Sequence, residues 1–395
     1  MNVKDLYFKI IGFERCERTL NWELGYWGGA LNRWYEEGLP KKYGLEREVD
    51  YGDAVCGPGL HYPILGLSDG YKFQKDRDVA DFFNFDDGII AFPINSFIHP
   101  KDETIILEET EEKVKLIDGD GITKIVIKGS RMTQWIGWPV KDFHSWEEFK
   151  EKKFKIDYEK RLAKNFSEYE NKIKENKNPL ILFGEPIGFY GSLRFLLGEE
   201  NLLYMYYDNP KLIKSINAFL TNFWINIAEE ILGKYEIMVA DFYEDMSGKN
   251  GPLISPITFR EFISPYYKRI IGFLKSKGVK YFNVDTDGNI DIITPLFLET
   301  GITGIYPVER QAGNDLLKIR NQYPDLVIIG GFDKNVLAKG KYEIDKELEN
   351  IKKMIEKGGY IPICDHHVPP NVSWLNFKYY RERLTDIIYK TKVYF

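Results

Sequence analysis

The sequence predicts an α/β protein: a (β/α)8 TIM barrel with an N-terminal α+β extension that contains a β-hairpin. Three observations lead there. From Pro179 onward, short apolar runs alternate with helical segments: LILFGEP, YEIMVADFYED, VKYFNVDTDGN, TGIYPVE, LVIIGGFDK and GGYIPICDHHVPP. Continuous apolar runs of that length suit parallel strands covered by helices on both faces. Each run also ends on ionisable residues: Glu185; Asp241 with Glu244 and Asp245; Asp285-Thr286-Asp287-Gly288-Asn289; Glu309-Arg310; Asp333-Lys334; and Asp365-His366-His367. In a closed parallel barrel those strand ends converge on one rim. Finally, no GxGxxG or GxxxxGK[ST] loop follows any run, so the phosphate-cradling signature of an open doubly wound sheet is missing.

Taken in order, the elements make one barrel domain over 1–395, with an N-terminal α+β part over 1–150. A helical stretch is expected from about Cys16 to Glu37, followed by a Gly/Pro-rich region from Tyr51 to Leu67. Residues 104–128 alternate apolar and polar side chains about Asp118-Gly119 and Asp120-Gly121, which is a hairpin signal. Trp146–Asn178 is highly charged and reads as a solvated helix and linker. Six βα units then occupy 179–395. Closure needs two more strands; Gly88–Pro93 (GIIAFP) supplies one, and the other has no assigned segment.

Composition narrows the function. The chain has 395 residues, 44% apolar and 29% charged, with 26 Tyr, 26 Phe and 8 Trp to fill a large core. A formal charge of −6 opposes nucleic-acid or anionic-membrane partners. No apolar run reaches the roughly eighteen residues of a membrane span. Three scattered cysteines and a start without a secretory pattern predict a cytoplasmic protein without a disulfide framework.

Carboxylates crowded on one rim repel unless a metal, a cationic substrate or protonation compensates. Asp285 and Asp287 alternate on a strand end, so both can reach one ion. With Glu309 and His366 or His367 they make a mixed oxygen and nitrogen set open to zinc or a harder divalent metal. Alternatively Asp241, Glu244, Asp333 and His367 serve as acids and bases without metal. Glu185, Tyr190, Arg194, Asn289 and His61 are candidate substrate contacts; Tyr190 and Arg194 lie where a helix N-terminus could meet an anion. Each of these residues also has a plainer reading. An Asp after a strand commonly caps the next helix, and Arg33 suits a surface ion pair. Trp34, Trp135 and Trp138 suit packing, and Cys364 suits the core.

At these residues the chain resembles the uroporphyrinogen decarboxylase superfamily. The likeness is carried by GFYGSLRFLLGEENLLYMYYDNP, DFYEDMSGKNGPLISPITFREFISPYYKRI, DTDGNI, GIYPVE, GGFDK and GGYIPICDHHVPPNVSWLNF. LNRWYEEGLP is similar to the opening segment of the methyltransferase-like branch. The resemblance implies a barrel with a deep strand-end cleft. It implies either a cofactor-free decarboxylase or a methyltransferase moving methyl groups between a small donor or acceptor and a corrinoid carried by a partner protein, using zinc. A homodimer is also implied. The arginine-rich RPVWxMRQAG segment of decarboxylases has no match in residues 1–50. The His-x-Cys of the zinc methyltransferases falls on Asp285 and Asp287, their Glu on Glu309, and their last Cys on Asp365 or His366. The expected metal set is therefore Asp285, Asp287, Glu309, Asp365 and His366, with methyl transfer the leading activity and a carboxy-lyase the alternative.

Overall fold

The computed structural model describes residues 1–59, 65–66, 74–128 and 133–393. Its centre is a curled parallel sheet. In chain order, β1 (Gly25–Trp27) belongs to a small three-stranded sheet, antiparallel to Ala54–Cys56, and the central strands are β2 (Ile90–Ala91), β3 (Leu180–Phe183), β4 (Val239–Tyr243), β5 (Tyr281–Thr286), β6 (Gly304–Pro307), β7 (Val327–Ile329) and β8 (Tyr360–Ile361). The strands β8-β7-β6-β5-β4-β3-β2 form one seven-stranded parallel sheet in that spatial order. All six C-terminal runs are strands of it, and GIIAFP supplies β2 as expected.

The strand without an assigned segment is β1. It lies parallel to the continuation of β8: Trp27 N donates to Val368 O at 3.1 Å and Val368 N to Gly25 O at 3.0 Å. Asp86 N also donates to Asn21 O at 3.1 Å, holding the chain ahead of β1 close to the segment that leads into β2. The fold is thus TIM-barrel-like, with β1 at the seam. The expected helix from Cys16 to Glu37 is corrected here: helices cover Val3–Ile11 and Gly28–Glu36, and extended chain lies between. The segment Leu20-Asn21-Trp22-Glu23-Leu24-Gly25-Tyr26 alternates with period two, the pattern of a strand.

Its polar residues are buried too, because the seam is built from them. Glu23 and Arg381 are fully buried and 3.1 Å apart. Glu23 also accepts from Cys364 N at 2.7 Å and Tyr380 OH at 3.2 Å, and Arg381 donates to Asn21 Oδ1 at 2.5 Å. Breaking a buried pair of this kind by removing one partner typically costs ~3–5 kcal/mol, since the other charge stays buried. Glu23 and Arg381 therefore clamp the first strand to the last helix, Trp374–Lys390.

Helices between the strands cover the sheet, the longest being Pro210–Leu232, whose start is set by Asn209 and Pro210. Two glycines are required by close backbone approach. A Cβ on Gly330 would stand 2.0 Å from Pro307 O, and one on Gly25 2.3 Å from Val55 O; both have positive φ. The hairpin at 104–128 is present within a larger antiparallel sheet of Ile105–Glu109, Lys113–Ile117, Thr123–Ile127 and Thr133–Gly137. Trp135 of that sheet meets Phe195, which meets Tyr243 at the end of β4. The charged stretch 146–178 contains helical turns, but Trp146 is wholly buried among aromatic rings. No helix among the described residues is long and apolar enough to cross a membrane.

Candidate functional site at the strand ends

The strand ends are bent to deliver side chains to the rim. Phe183, Asp245 and Val308 lie at or just beyond the ends of β3, β4 and β6, and each has a positive φ (72°, 47° and 61°) despite carrying a side chain. Such strain concentrates where the surrounding structure needs a particular side-chain direction. At Asp245 the turn lets the carboxylate accept from Asp287 N at 3.3 Å, Tyr243 OH at 2.9 Å and Arg194 Nη1 at 3.1 Å.

Two linked groups face the opening. In the first, His366 Nε2 stands 3.7 Å from Asp287 Oδ2, and the side chains keep 27% and 32% of their exposure. The Trp27 ring stacks on His366 with centroids 5.9 Å apart and lies 5.0 Å from His367. In the second, Lys334 Nζ lies 3.6 Å from Glu309 Oε1 and 3.4 Å from Asp365 Oδ1. Backbone amides hold those carboxylates: Gly288 N donates to Glu309, Arg310 N and Lys334 N to Asp365.

Burial and like charge set the protonation of the rim. Asp287 is pushed up to about 8 by burial first, then by Asp245 and Glu309, with Lys334 pulling it down. Burial and then Asp287, Asp245 and Glu185 hold Asp285 well above the carboxylate range. Glu185 rises to about 7 through burial and Asp245. Burial raises Asp365 to about 6 against the pull of Lys334. Burial, then Lys334, lowers His366; burial, then His366 and Lys334, puts His367 well below the usual histidine range. Near neutral pH the centre therefore holds a protonated Asp287 beside a neutral His366. Both nitrogens of His367 are buried without a hydrogen-bond partner among the described residues.

The other candidate residues sit elsewhere. Glu244 is fully buried and accepts from the amides of Phe189, Tyr190 and Gly191 at 2.8, 2.6 and 2.8 Å and from Tyr267 OH. The helix N-terminus that could have met an external anion is thus occupied by the protein's own carboxylate. Asp241 is in an inner layer with Asn283 Nδ2 at 2.8 Å and Tyr306 OH at 3.2 Å. Asp333 caps the turn at 334–338 through Asn335 N and takes Gln311 Nε2 at 2.5 Å. Asn289 bonds to Ala312 O and Asp291 N. Tyr190 is buried, with its hydroxyl 3.4 Å from Glu199. Arg194 stands at the rim but is committed to Asp245 and Glu199. His61 lies outside the described residues.

Among the described residues no three His, Cys, Asp or Glu side chains are grouped to hold one ion. Asp365 turns both oxygens to backbone amides, and an ammonium stands between it and Glu309. Asp285, Asp287, Glu309, Asp365 and His366 therefore do not fit a single metal ion as they stand. Sequence reasoning did not single out Trp27, which belongs to the unassigned strand, nor the roles of Lys334, Asp245 and Tyr243. For the last three the signal was in GGFDK and DFYED, beside residues that were chosen.

Fold and rim together define a strand-end site on a TIM-barrel-like fold. The uroporphyrinogen decarboxylase (URO-D) family model matches residues 191–386, about half of the chain. Among solved structures, the chain is similar to a methyltransferase from Methanosarcina mazei at 16% identity and TM-score 0.47, over 67% of this chain and 76% of that one. It is also similar to the putative vitamin-B12-independent methionine synthase from Listeria monocytogenes, at 9% identity and TM-score 0.30, over 54% of this chain and 64% of that one. No curated protein matches.

Proposed function

We propose that this protein is a methyltransferase that takes a methyl group from a small methoxy or methylamine-like donor bound at the barrel mouth. The observation that carries the reading is the Asp287–His366 pair, 3.7 Å apart and open at the strand ends. When a methyl carbon leaves oxygen or nitrogen, the heteroatom keeps the bonding pair and needs a proton unless it leaves as a stable anion or a neutral amine. A protonated Asp287 supplies that proton, and neutral His366 beside it restores the proton from water for the next turnover. Asp245 orients the Asp287 backbone, and Trp27 backs the imidazole with an apolar wall. A corrinoid carried by a partner protein would supply the nucleophile that accepts the methyl group.

A carboxy-lyase is favoured by one feature, since the same Asp287 proton would suit a carbanion left by loss of carbon dioxide. Charge weighs against it for polycarboxylate substrates. Arg194 is engaged by Asp245 and Glu199 and Arg310 by Glu347, which leaves neither guanidinium to bind an incoming carboxylate. The test is anaerobic incubation of the purified protein with cob(I)alamin and a panel of methoxy and methylamine donors. Methyl transfer to the added corrinoid is the expected outcome. Loss of carboxylate from a porphyrinogen-like substrate, with no methyl transfer from any donor, would overturn the proposal.

A further inference from the structure

We infer that the Lys334 ammonium is the resident cation of this site, standing between Glu309 and Asp365 where a divalent metal would otherwise be needed. The inference concerns the same site as the methyltransferase reading, but its test below does not require that reading to hold.

Asp365 is fully buried, and its oxygens already accept Arg310 N at 2.8 Å and Lys334 N at 3.1 Å. The lysine's own side chain then folds back, so that one residue offers Asp365 both its amide and its ammonium. Nζ reaches Glu309 at 3.6 Å, while Gly288 N holds the other oxygen of Glu309 at 3.0 Å. Lys334 keeps only 16% of its side-chain exposure. A charge this enclosed stays paired because both partners would otherwise be left buried without compensation. The arrangement fixes Glu309 beside Gly288, next to Asp287, and so positions the rim carboxylates without a metal. It also excludes one. A divalent ion at Glu309 and Asp365 would have to displace the ammonium, since two cations cannot share that space at low dielectric. Lys334 is thus a positioning residue.

Removing the ammonium should invert the behaviour. Without it, Glu309 Oε1 and Asp365 Oδ1 lose their counter-charge, and a divalent cation drawn to those two oxygens is what could restore it. The experiment is metal uptake by the full chain, with zinc and manganese salts as probes, followed by dialysis and elemental analysis. Wild type should retain no stoichiometric metal, and chelator should change neither its melting temperature nor any activity. K334M should bind one of the two ions at least tenfold more tightly than wild type, and adding E309Q should abolish that gain. K334R, which keeps the charge, should stay metal-free like wild type. One equivalent of metal retained by wild type would overturn the inference, as would unchanged metal affinity in K334M. If K334M does not fold, the wild-type and K334R measurements decide the matter. Metal stoichiometry needs no substrate, so a protein that rejects metal but moves no methyl group would sink the functional proposal alone.

Discussion

Two neighbouring carboxylates, Glu244 and Asp245, separate the barrel's inner layer from its mouth. Glu244 points inward, where three consecutive amides and a tyrosine hydroxyl use up its acceptors. Asp245 turns outward on a left-handed residue and joins a ring that includes Asp287, Tyr243 and Arg194. The same contrast holds more widely. Asn283 and Tyr306 both donate to Asp241 inside the barrel, while Asp287 and His366 face each other at hydrogen-bonding capacity not fully used. Satisfied polar groups hold a fold together; incompletely satisfied ones at a strand-end rim are available to a substrate.

If that division is right, substitutions should divide the same way. The largest effect is expected from Glu244→Ala, which leaves three buried amides without an acceptor and should cost ~3–5 kcal/mol of stability in denaturant unfolding. Asp287→Asn should do the opposite, lowering turnover by roughly 10²–10⁴ with no loss of stability. Loss of activity from Glu244→Ala with no loss of stability would erase the distinction.

The pH dependence of stability sharpens it further. Burial raises Asp76 and Glu185 to about 7 and Asp287 to about 8 in the folded chain. Between the unfolded carboxylate value near 4 and those folded values, the native state holds more protons than the unfolded one. These groups therefore add stability that is complete below about pH 4 and is lost as pH rises through about 7 to 8. Melting temperature should fall between pH 5 and pH 8, and Asp287→Asn should flatten the slope; a rise over that range would contradict the assignment. The smallest effect is expected at Arg33, half-exposed and 2.6 Å from Glu37, where Arg33→Ala should change stability by about 0.5 kcal/mol or less.

The sequence made the sheet legible because its strands are short apolar runs, which leave little choice of environment. It missed β1 because Asn21 and Glu23 look like the polar face of a helix until Arg381, some 360 residues away in the chain, is known to meet them. At the rim, residue types were readable but pairings were not. Asp241, Glu244 and Asp333 follow the same strand-end pattern as Asp287, and only folded geometry shows that backbone amides or inner-layer partners hold them. Lys334 was passed over because a lysine next to an aspartate at a helical turn reads as an ordinary cap. Its reach to Glu309 depends on two strands coming side by side.

The central claim is that Asp287 and His366 form one reaction centre, and a double-mutant cycle on methyl transfer tests it most directly. Asp287→Asn, His366→Gln and the double variant should each lose activity to a similar extent, the second change adding little once the first is made. Fully additive losses in the double variant would mean that the two side chains act independently, and the account would fail.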